Sequence, residues 1–454
     1  MNISDTIIAL ATPAGVGAIG VIRLSGPNAI AMVNEVFKGK DLSKQEGNTL
    51  HFGRIEYQAQ VLDEVLVSLF RAPKSYTKEE VVEISCHGSP YILESVIQCL
   101  VEQGARLAQP GEFTQRAFMN GAFDLAQAEA VADLIAADSK AAQRAAMHQL
   151  RGGFSKELAL LREQLIHFAS LIELELDFSE EDVEFADRED LQNLVLQLLE
   201  KLQPLLDSFK TGNAIKNGVA TVIIGKPNAG KSTLLNALLK EDRAIVSDIA
   251  GTTRDSLEDE WLLGGVRFRL VDTAGLRETT DVIEAIGVER TNAWVKKAQL
   301  VLYVADLSQE SPMSLQTVLS EYSDLEVPLI LLLNKTDEVN FKSSDWVELA
   351  EYIVPISAKK QVGLDTLEQT LLDAVGIHQL NDQGTLVTNV RHYQKLLQTK
   401  ETLIEVLNAL RTDLSGDFVA QDLRHALYHL GEITGTISND DLLKNIFGKF
   451  CIGK

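Results

Sequence analysis

The spacing of apolar positions along this chain changes three times. Up to about residue 116, short apolar β-rich runs at 7–11, 19–24, 65–70 and 82–85 are broken by turn-formers. These are Pro13, Gly15, Gly17, Gly26, Pro27, Gly88, Pro110 and Gly111. Such punctuation predicts strands with short helices among them, hence an α+β domain. From about residue 118 the apolar positions fall three and four apart. Leu125, Ala128, Val131, Ala132 and Ile135 share one face of an Ala-rich stretch over 125–150. Helices are expected to continue over 156–175 and 191–209, and to return over 393–410, 419–430 and 440–447. Between the two helical blocks lie five unbroken apolar runs, 221–224, 266–271, 300–305, 328–333 and 352–356. Continuous rather than alternating hydrophobicity is what parallel strands covered on both faces require. The pattern predicts a multidomain chain. An α+β N-terminal domain (1–117) precedes an all-α domain (118–215 and 377–454), and an α/β domain (216–376) is inserted into the latter. An insertion needs its two ends close together in space.

Composition narrows the class. Of 454 residues, 45% are hydrophobic and 24% charged, as in ordinary soluble proteins. No apolar run reaches the length of a membrane span, and the N-terminus, with Asp5, lacks a basic leader ahead of an apolar stretch. Three cysteines, Cys86, Cys99 and Cys451, give no even disulfide framework, so a reducing cytoplasm is expected. Cys86 and Cys99 are expected in the core. The formal charge of −23 excludes a uniformly basic nucleic-acid surface. A local basic groove, or a basic partner that supplies the phosphate contacts, remains open. Residues 173–190 hold ten carboxylates and one arginine, read as a solvated helix end and loop or as a face for a basic partner.

The chemistry is concentrated at the ends of the apolar runs. After the first comes Gly225-Lys226-Pro227-Asn228-Ala229-Gly230-Lys231-Ser232, which fits G-x-x-x-x-G-K-[ST]. Thr233 follows, and Leu234, Leu235, Ala237 and Leu238 mark the apolar side of a helix. Strand, glycine loop and helix N-terminus together aim backbone N–H groups and a positive helix end at phosphate. Lys231 would reach the β/γ-phosphates and Ser232 would ligate Mg²⁺. After the second run, Asp272-Thr273-Ala274-Gly275 offers an acid for the Mg²⁺ shell and a backbone that can approach a γ-phosphate. After the fourth, Asn334-Lys335-Thr336-Asp337 supplies a carboxylate for the N1 and N2 donors of guanine, which adenine lacks, so GTP is the expected substrate. Ser357-Ala358-Lys359 after the fifth would support the base edge. Between the first and second runs, Gly251-Thr252-Thr253-Arg254-Asp255 carries Thr253, which can complete the Mg²⁺ shell. Each short motif is weak alone. Five in this order, each in the place the fold demands, predict a Ras-like P-loop GTPase domain.

The set resembles the consensus motifs of translation-factor-type GTPases, with one departure. Leu276 follows Asp272-Thr273-Ala274-Gly275, where a Ras-like protein has a water-positioning Gln. An arginine finger or a metal cation must take over. Asn228 is similar to the loop Asn that ligates K⁺ in GTPases that dimerise through their G domains. By that resemblance Ser247, Ile249 and Thr252 complete the ion's shell, and Asp248 and Ala250 lie in the same nucleotide-contacting segment. Read by itself, Asn228 is a turn-stabilising amide.

The flanks resemble one family. Asp5-Thr6-Ile7-Ile8-Ala9, Ile19-Gly20-Val21-Ile22-Arg23-Leu24-Ser25-Gly26, His87-Gly88, Gly111-Glu112-Phe113-Thr114-Gln115-Arg116-Ala117-Phe118, Asp124-Leu125-Ala126-Gln127-Ala128-Glu129 and the terminal Phe450-Cys451-Ile452-Gly453-Lys454 are similar to the MnmE/TrmE tRNA uridine-modifying GTPases over essentially the whole chain. The resemblance implies a homodimer whose N-terminal domain mediates dimerisation and binds a tetrahydrofolate one-carbon donor, 5-formyl or 5,10-methylene. It also implies an FAD-containing MnmG-type partner in a heterotetramer, which modifies C5 of the wobble uridine of tRNA. The family's folate positions fall on Arg23, Glu79 and Lys454. A fourth, usually Lys, falls on Ala122, where only backbone or packing contact can remain. Glu284 aligns with the family's catalytic Glu, which would orient water; alone it is an exposed helical acid. Cys451, near Lys449 and Lys454, is either a thiolate nucleophile toward uracil C6 or an apolar tail anchor. Two other readings stay open: a regulatory or ribosome-assembly GTPase switch without one-carbon chemistry, and a scaffold whose GTPase only controls assembly.

Overall fold

The computed structural model describes residues 5–177, 188–241, 258–272, 294–322, 327–340, 342, 345–377, 385–412 and 416–453. The first part is a seven-stranded sheet in the order β3-β4-β5-β6-β2-β1-β7. In chain order the elements are β1 (Ile7–Leu10), β2 (Ile19–Ser25), α1 (Ala29–Val36), β3 (Phe37–Lys38), β4 (Thr49–Tyr57), β5 (Gln60–Phe70), β6 (Val81–His87), α2 (Pro90–Glu102), β7 (Arg106–Leu107) and α3 (Glu112–Met119). All four runs expected to be strands are strands. The sheet is antiparallel except where β1 and β7 run parallel. Ile22 and Leu24, Val65 and Val67, and Val82 and Ile84 point to one face, where α1 and α2 add Val33, Val96 and Leu100. Cys86 and Cys99 lie in that core, and burial, then the Asp63 charge, pushes the Cys86 thiol up to about 11.

The helices that follow are α4 (Leu125–Ala136), α5 (Lys140–Leu150), α6 (Gly153–Asp177) and α7 (Arg188–Asn217). The Ala-rich stretch is therefore two helices. Ser139 makes the break, its Oγ accepting from the Ala142 N–H at 3.1 Å as an N-cap.

Next come β8 (Val219–Ile224), α8 (Lys231–Glu241), β9 (Glu258–Leu263), β10 (Val266–Asp272), β11 (Leu300–Asp306), α9 (Pro312–Ser320), β12 (Leu329–Asn334), β13 (Tyr352–Pro355) and α10 (Leu364–Ala374). The sheet order is β13-β12-β11-β8-β10-β9. The five apolar runs are its five mutually parallel strands. The sixth, β9, is an antiparallel edge on β10 that apolar content did not reveal, because Glu258, Asp259 and Glu260 occupy half of it. The chain ends with α11 (Val390–Arg411), α12 (Gly416–Thr434) and α13 (Asp440–Phe447).

The chain divides into two compact units. One holds residues 1–132, 149–182 and 420–454, the other 133–148 and 183–419. In the first, α13 seats Leu443, Ile446 and Phe447 against Leu125 and Ala128 of α4. In the second, α7 packs on α11, with Phe209 stacked on Tyr393 at 4.3 Å. Residues 133–148 join the α/β sheet there. Ala142 lies in its core, Asp133 pairs with Lys216 at 2.8 Å and Asp138 with Arg267 at 2.6 Å. No helix among the described residues is long and apolar enough to cross a membrane.

Candidate functional site

β8 runs through the middle of the α/β sheet, with Val222, Ile223 and Ile224 at most 3% exposed. It delivers Gly225 to the carboxyl edge, where ligands bind in open α/β sheets. The loop then curls into the N-terminus of α8. Asn228 takes a left-handed φ of +61° and Gly230 a φ of +100°. Gly230 has a second reason to be glycine: a Cβ there would lie 2.3 Å from Asn334 Nδ2. Lys231 is 6% exposed, and its Nζ donates to the carbonyls of Gly225 (3.0 Å) and Lys226 (2.8 Å). Ser232 and Thr233 are exposed at the start of α8, and Asn228 is exposed on the loop.

Asn334, at the end of β12 and 3% exposed, ties three motifs together. Its Nδ2 donates to Ala229 O at 2.7 Å, and its Oδ1 accepts from the Ala358 N–H at 3.0 Å. Thr336 closes the same corner, its hydroxyl donating to Ile356 O at 3.0 Å. Asp337 Oδ1 accepts from the Ser357 hydroxyl at 2.7 Å, and Lys360 Nζ stands 3.5 Å from Oδ2. The Ser357 hydrogen bond, then a backbone hydrogen bond and Lys360, hold the Asp337 carboxyl below the ordinary carboxylate range. It therefore stays an ionised, acceptor-only group at neutral pH, as a guanine-reading carboxylate must be.

The structure thus brings Asn228, Ala229, Gly230, Lys231, Ser232, Thr233, Asn334, Lys335, Asp337, Ser357 and Ala358 to one sheet edge. Lys359 belongs to the same turn, but its side chain is exposed. The lysine beside Asp337 is its neighbour Lys360, which the motif did not indicate. The Asp272 backbone ends β10 in register with Ile223. Ser247, Asp248, Ile249, Ala250, Gly251, Thr252, Thr253, Thr273, Ala274, Gly275 and Glu284 lie outside the described residues, as does Lys454.

A second constellation forms on β2 in the other unit. Arg23 donates from Nε to Glu83 at 2.8 Å and from Nη1 to Gly453 O at 3.3 Å, with the rings of Tyr76 and Phe113 at 5.4 and 5.8 Å. Glu79 accepts from Ser25 Oγ at 2.6 Å and stands 3.5 Å from Arg116. The C-terminal tail is held here. Gly453 has a φ of +93°, and a Cβ on it would fall 2.3 Å from Leu10 O. The Gly111 N–H donates to Cys451 O at 3.4 Å, while the Cys451 side chain is exposed. Ala122 sits in the turn after α3, its N–H bonded to Ala117 O at 2.8 Å. Arg23 thus meets the tail, Glu79 is held at Ser25 two residues further along β2, and Ala122 lies in the turn after α3.

Behind them lies a charge network. Arg116 Nη2 donates to Asp5 (2.5 Å) and Glu112 (3.1 Å), and Arg106 donates to the same two acids at 2.6 and 2.5 Å. Burial by itself would raise the Glu112 carboxyl. Hydrogen bonds from Arg106 and the Gln109 N–H more than offset it, leaving its pKa below the usual range.

Residues 6–122 match the family model described as GTP-binding protein TrmE N-terminus, and residues 125–451 the model described as MnmE helical domain. A protein of Cytophaga hutchinsonii named tRNA modification GTPase MnmE is 55% identical over 453 residues, covering 100% of this chain and 98% of that protein. One of Christiangramia forsetii with the same name is 52% identical over 475 residues, covering 100% of both. Among solved structures, the FeoB G-domain of Methanococcus jannaschii is 25% identical with a TM-score of 0.25, covering 35% of this chain and 97% of that one.

Proposed function

This chain belongs to the MnmE family of tRNA modification GTPases. From that premise we propose that its α/β domain hydrolyses GTP in a K⁺-assisted site completed by dimerisation, and that turnover drives modification of the wobble uridine of tRNA. The observation that carries the nucleotide reading is Asn334. One buried amide clamps the phosphate loop at Ala229 and the base-edge turn at Ala358, so phosphate and guanine contacts form a single pocket. Lys231 supports it. Its ammonium satisfies two loop carbonyls and is placed to exchange them for phosphate oxygens. Asp337, ionised beside Ser357, accounts for a guanine rather than adenine preference.

Ser232 and Thr253 would hold Mg²⁺, and Asn228 with Ser247, Ile249 and Thr252 would hold K⁺. These ions would supply positive charge where negative charge develops on the transferring phosphate. The left-handed, exposed Asn228 suits a loop amide that faces outward to a ligand. Glu284 would orient the attacking water, taking the part of the Gln that Leu276 replaces. GTP turnover in K⁺ should exceed that in Na⁺ by about tenfold or more, with the two α/β domains of the homodimer associating only in K⁺ and a transition-state analogue. Equal rates in both salts, with the two α/β domains staying apart in each, would refute the ion's role.

Around Arg23, Glu79, Ala122 and Lys454, the N-terminal domain would hold a tetrahydrofolate derivative, which supplies the one-carbon unit. The tail clamped at Gly453 supports this, since it sets Gly453 beside Arg23. The wider assembly proposed is a homodimer joined by two copies of an FAD-containing MnmG-type partner, acting on tRNA in the cytoplasm. The exposed Cys451 side chain, on a tail anchored through its own carbonyl, suits a reactive group more than a packing one. Cys451→Ser should abolish tRNA modification while GTP hydrolysis stays within twofold of wild type. Retained modification would make this residue an anchor.

A further inference from the structure

Two acids outside every nucleotide motif stand behind the pocket. β11 ends at Asp306, whose Oδ1 accepts from the Ser308 N–H (3.0 Å) and hydroxyl (2.6 Å) and whose Oδ2 accepts from Lys335 Nζ at 2.6 Å. Glu310 turns back toward it, Oε2 accepting from the Asp306 N–H at 3.0 Å. Its Oε1 lies 2.9 Å from Lys226 Nζ, an ion contact whose angles fall short of a hydrogen bond. The acid side chains are 4% and 1% exposed, while Lys335 and Lys226 are 25% and 49% exposed. Two ion pairs, Lys335–Asp306 and Glu310–Lys226, linked through the Asp306 N–H, thus join the base-reading motif to the phosphate loop.

Lys335 needs such a brace. It is a non-glycine residue at φ +66°, a conformation that persists only where its surroundings impose it. Its side chain is also the kind that loses most rotamer freedom when a ligand packs on it. A buried carboxylate that fixes the ammonium in advance removes that loss from the binding step. Burial would raise the Asp306 carboxyl, but the hydrogen bonds from Lys335 and Ser308 prevail and hold it below the ordinary range.

We propose that Asp306 is a positioning residue for guanine-nucleotide binding: it locks the Lys335 ammonium so that the lysine stem forms a pre-built wall of the base slot. Glu310 does the same for Lys226 at the entrance of the phosphate loop. The inference rests on the reading of this pocket as a guanine-nucleotide site. Because the wall touches the part common to GDP and GTP, Asp306→Asn should weaken both by the same factor, about tenfold. KM for GTP should rise in proportion while kcat is unchanged.

The test is a double-mutant cycle on full-length protein, with the affinity of a fluorescent GDP analogue as readout. Asp306→Asn should cost about tenfold in wild-type background and almost nothing in Lys335→Ala. A merely structural role would give the same loss in both backgrounds, and that result overturns the proposal. If Asp306→Asn does not fold, Ser308→Ala removes one anchor of the same carboxylate at an exposed turn; it should weaken GDP about threefold, and unchanged affinity again overturns the proposal. Asp337→Asn separates this failure from failure of the pocket. If that variant exchanges guanine for xanthine preference while Asp306→Asn is silent, the pocket stands and the positioning role falls. If neither variant alters nucleotide binding, both fall.

Discussion

Replacing Arg116 with methionine is expected to destabilise the N-terminal unit by about 3 kcal/mol. Arg116 is 2% exposed and serves Asp5, Glu112 and, more distantly, Glu79. Methionine fills the volume but leaves Glu112, which is fully buried, with one guanidinium instead of two. Arg106 stays at 2.5 Å from Glu112 and the Gln109 N–H at 2.9 Å, which keeps the loss near the lower end for a broken buried pair. The network ties α3 to the segment before β1 and to β7, so those elements should loosen together. Trp261, Trp294 and Trp346 all lie in the other unit, so tryptophan fluorescence would miss the change. Hydrogen exchange of β1 amides should accelerate about a hundredfold. Acidity supplies a second signature. Asp5 and Glu112 titrate lower in the folded chain than when unfolded, so their contribution is complete above the unfolded values and is lost as pH falls through the folded ones. Wild type should therefore lose stability below about pH 4 more steeply than the variant. Exchange rates within threefold of wild type would show that the network holds nothing together.

Gly230→Ala is expected to reduce GDP and GTP affinity by about a hundredfold or more while the fold survives. The added Cβ would stand 2.3 Å from Asn334 Nδ2, at a φ of +100° that alanine adopts only under strain. Asn334 cannot simply yield, because it is buried and held at both ends of its amide. Displacing it breaks the bond to Ala229 O and leaves a buried acceptor unpaired, a loss of about 1–3 kcal/mol in addition to the backbone strain. The damage falls on the loop that must present its N–H groups to phosphate. Core strands β8 and β11, closed by Val222, Ile223 and Val304, do not depend on it. Isothermal titration with GDP is the measurement, with circular dichroism to confirm the fold. Affinity within threefold of wild type would mean that Asn334 does not organise the pocket.

Much of this molecule was legible before folding. Five unbroken apolar runs became five parallel strands because burial on both faces leaves no room for alternation. The order of the nucleotide motifs followed from the same runs, since each motif is a local rule attached to a strand end. Glycine at 230 and an acid at 337 were readable because phosphate and guanine chemistry demand those residue types at those places.

Tertiary structure alone decided what lies across the chain. No local pattern pairs Lys335 with Asp306, sets Lys360 rather than Lys359 beside Asp337, or lays Gly453 against Leu10, more than four hundred residues earlier. Glu112 and Arg116 stood in the sequence as marks of resemblance; only packing showed them as a buried charge network with Asp5 and Arg106. The Ala-rich face over 133–148 fits a helical neighbour or a sheet equally well, and the Arg267 pair with Asp138 and the burial of Ala142 assigned it to the sheet. Sequence order dictates conformation where the partners are the backbone and the next turn. It leaves long-range pairings to be selected by burial, where a charge must find whichever opposite charge the packed chain brings within reach.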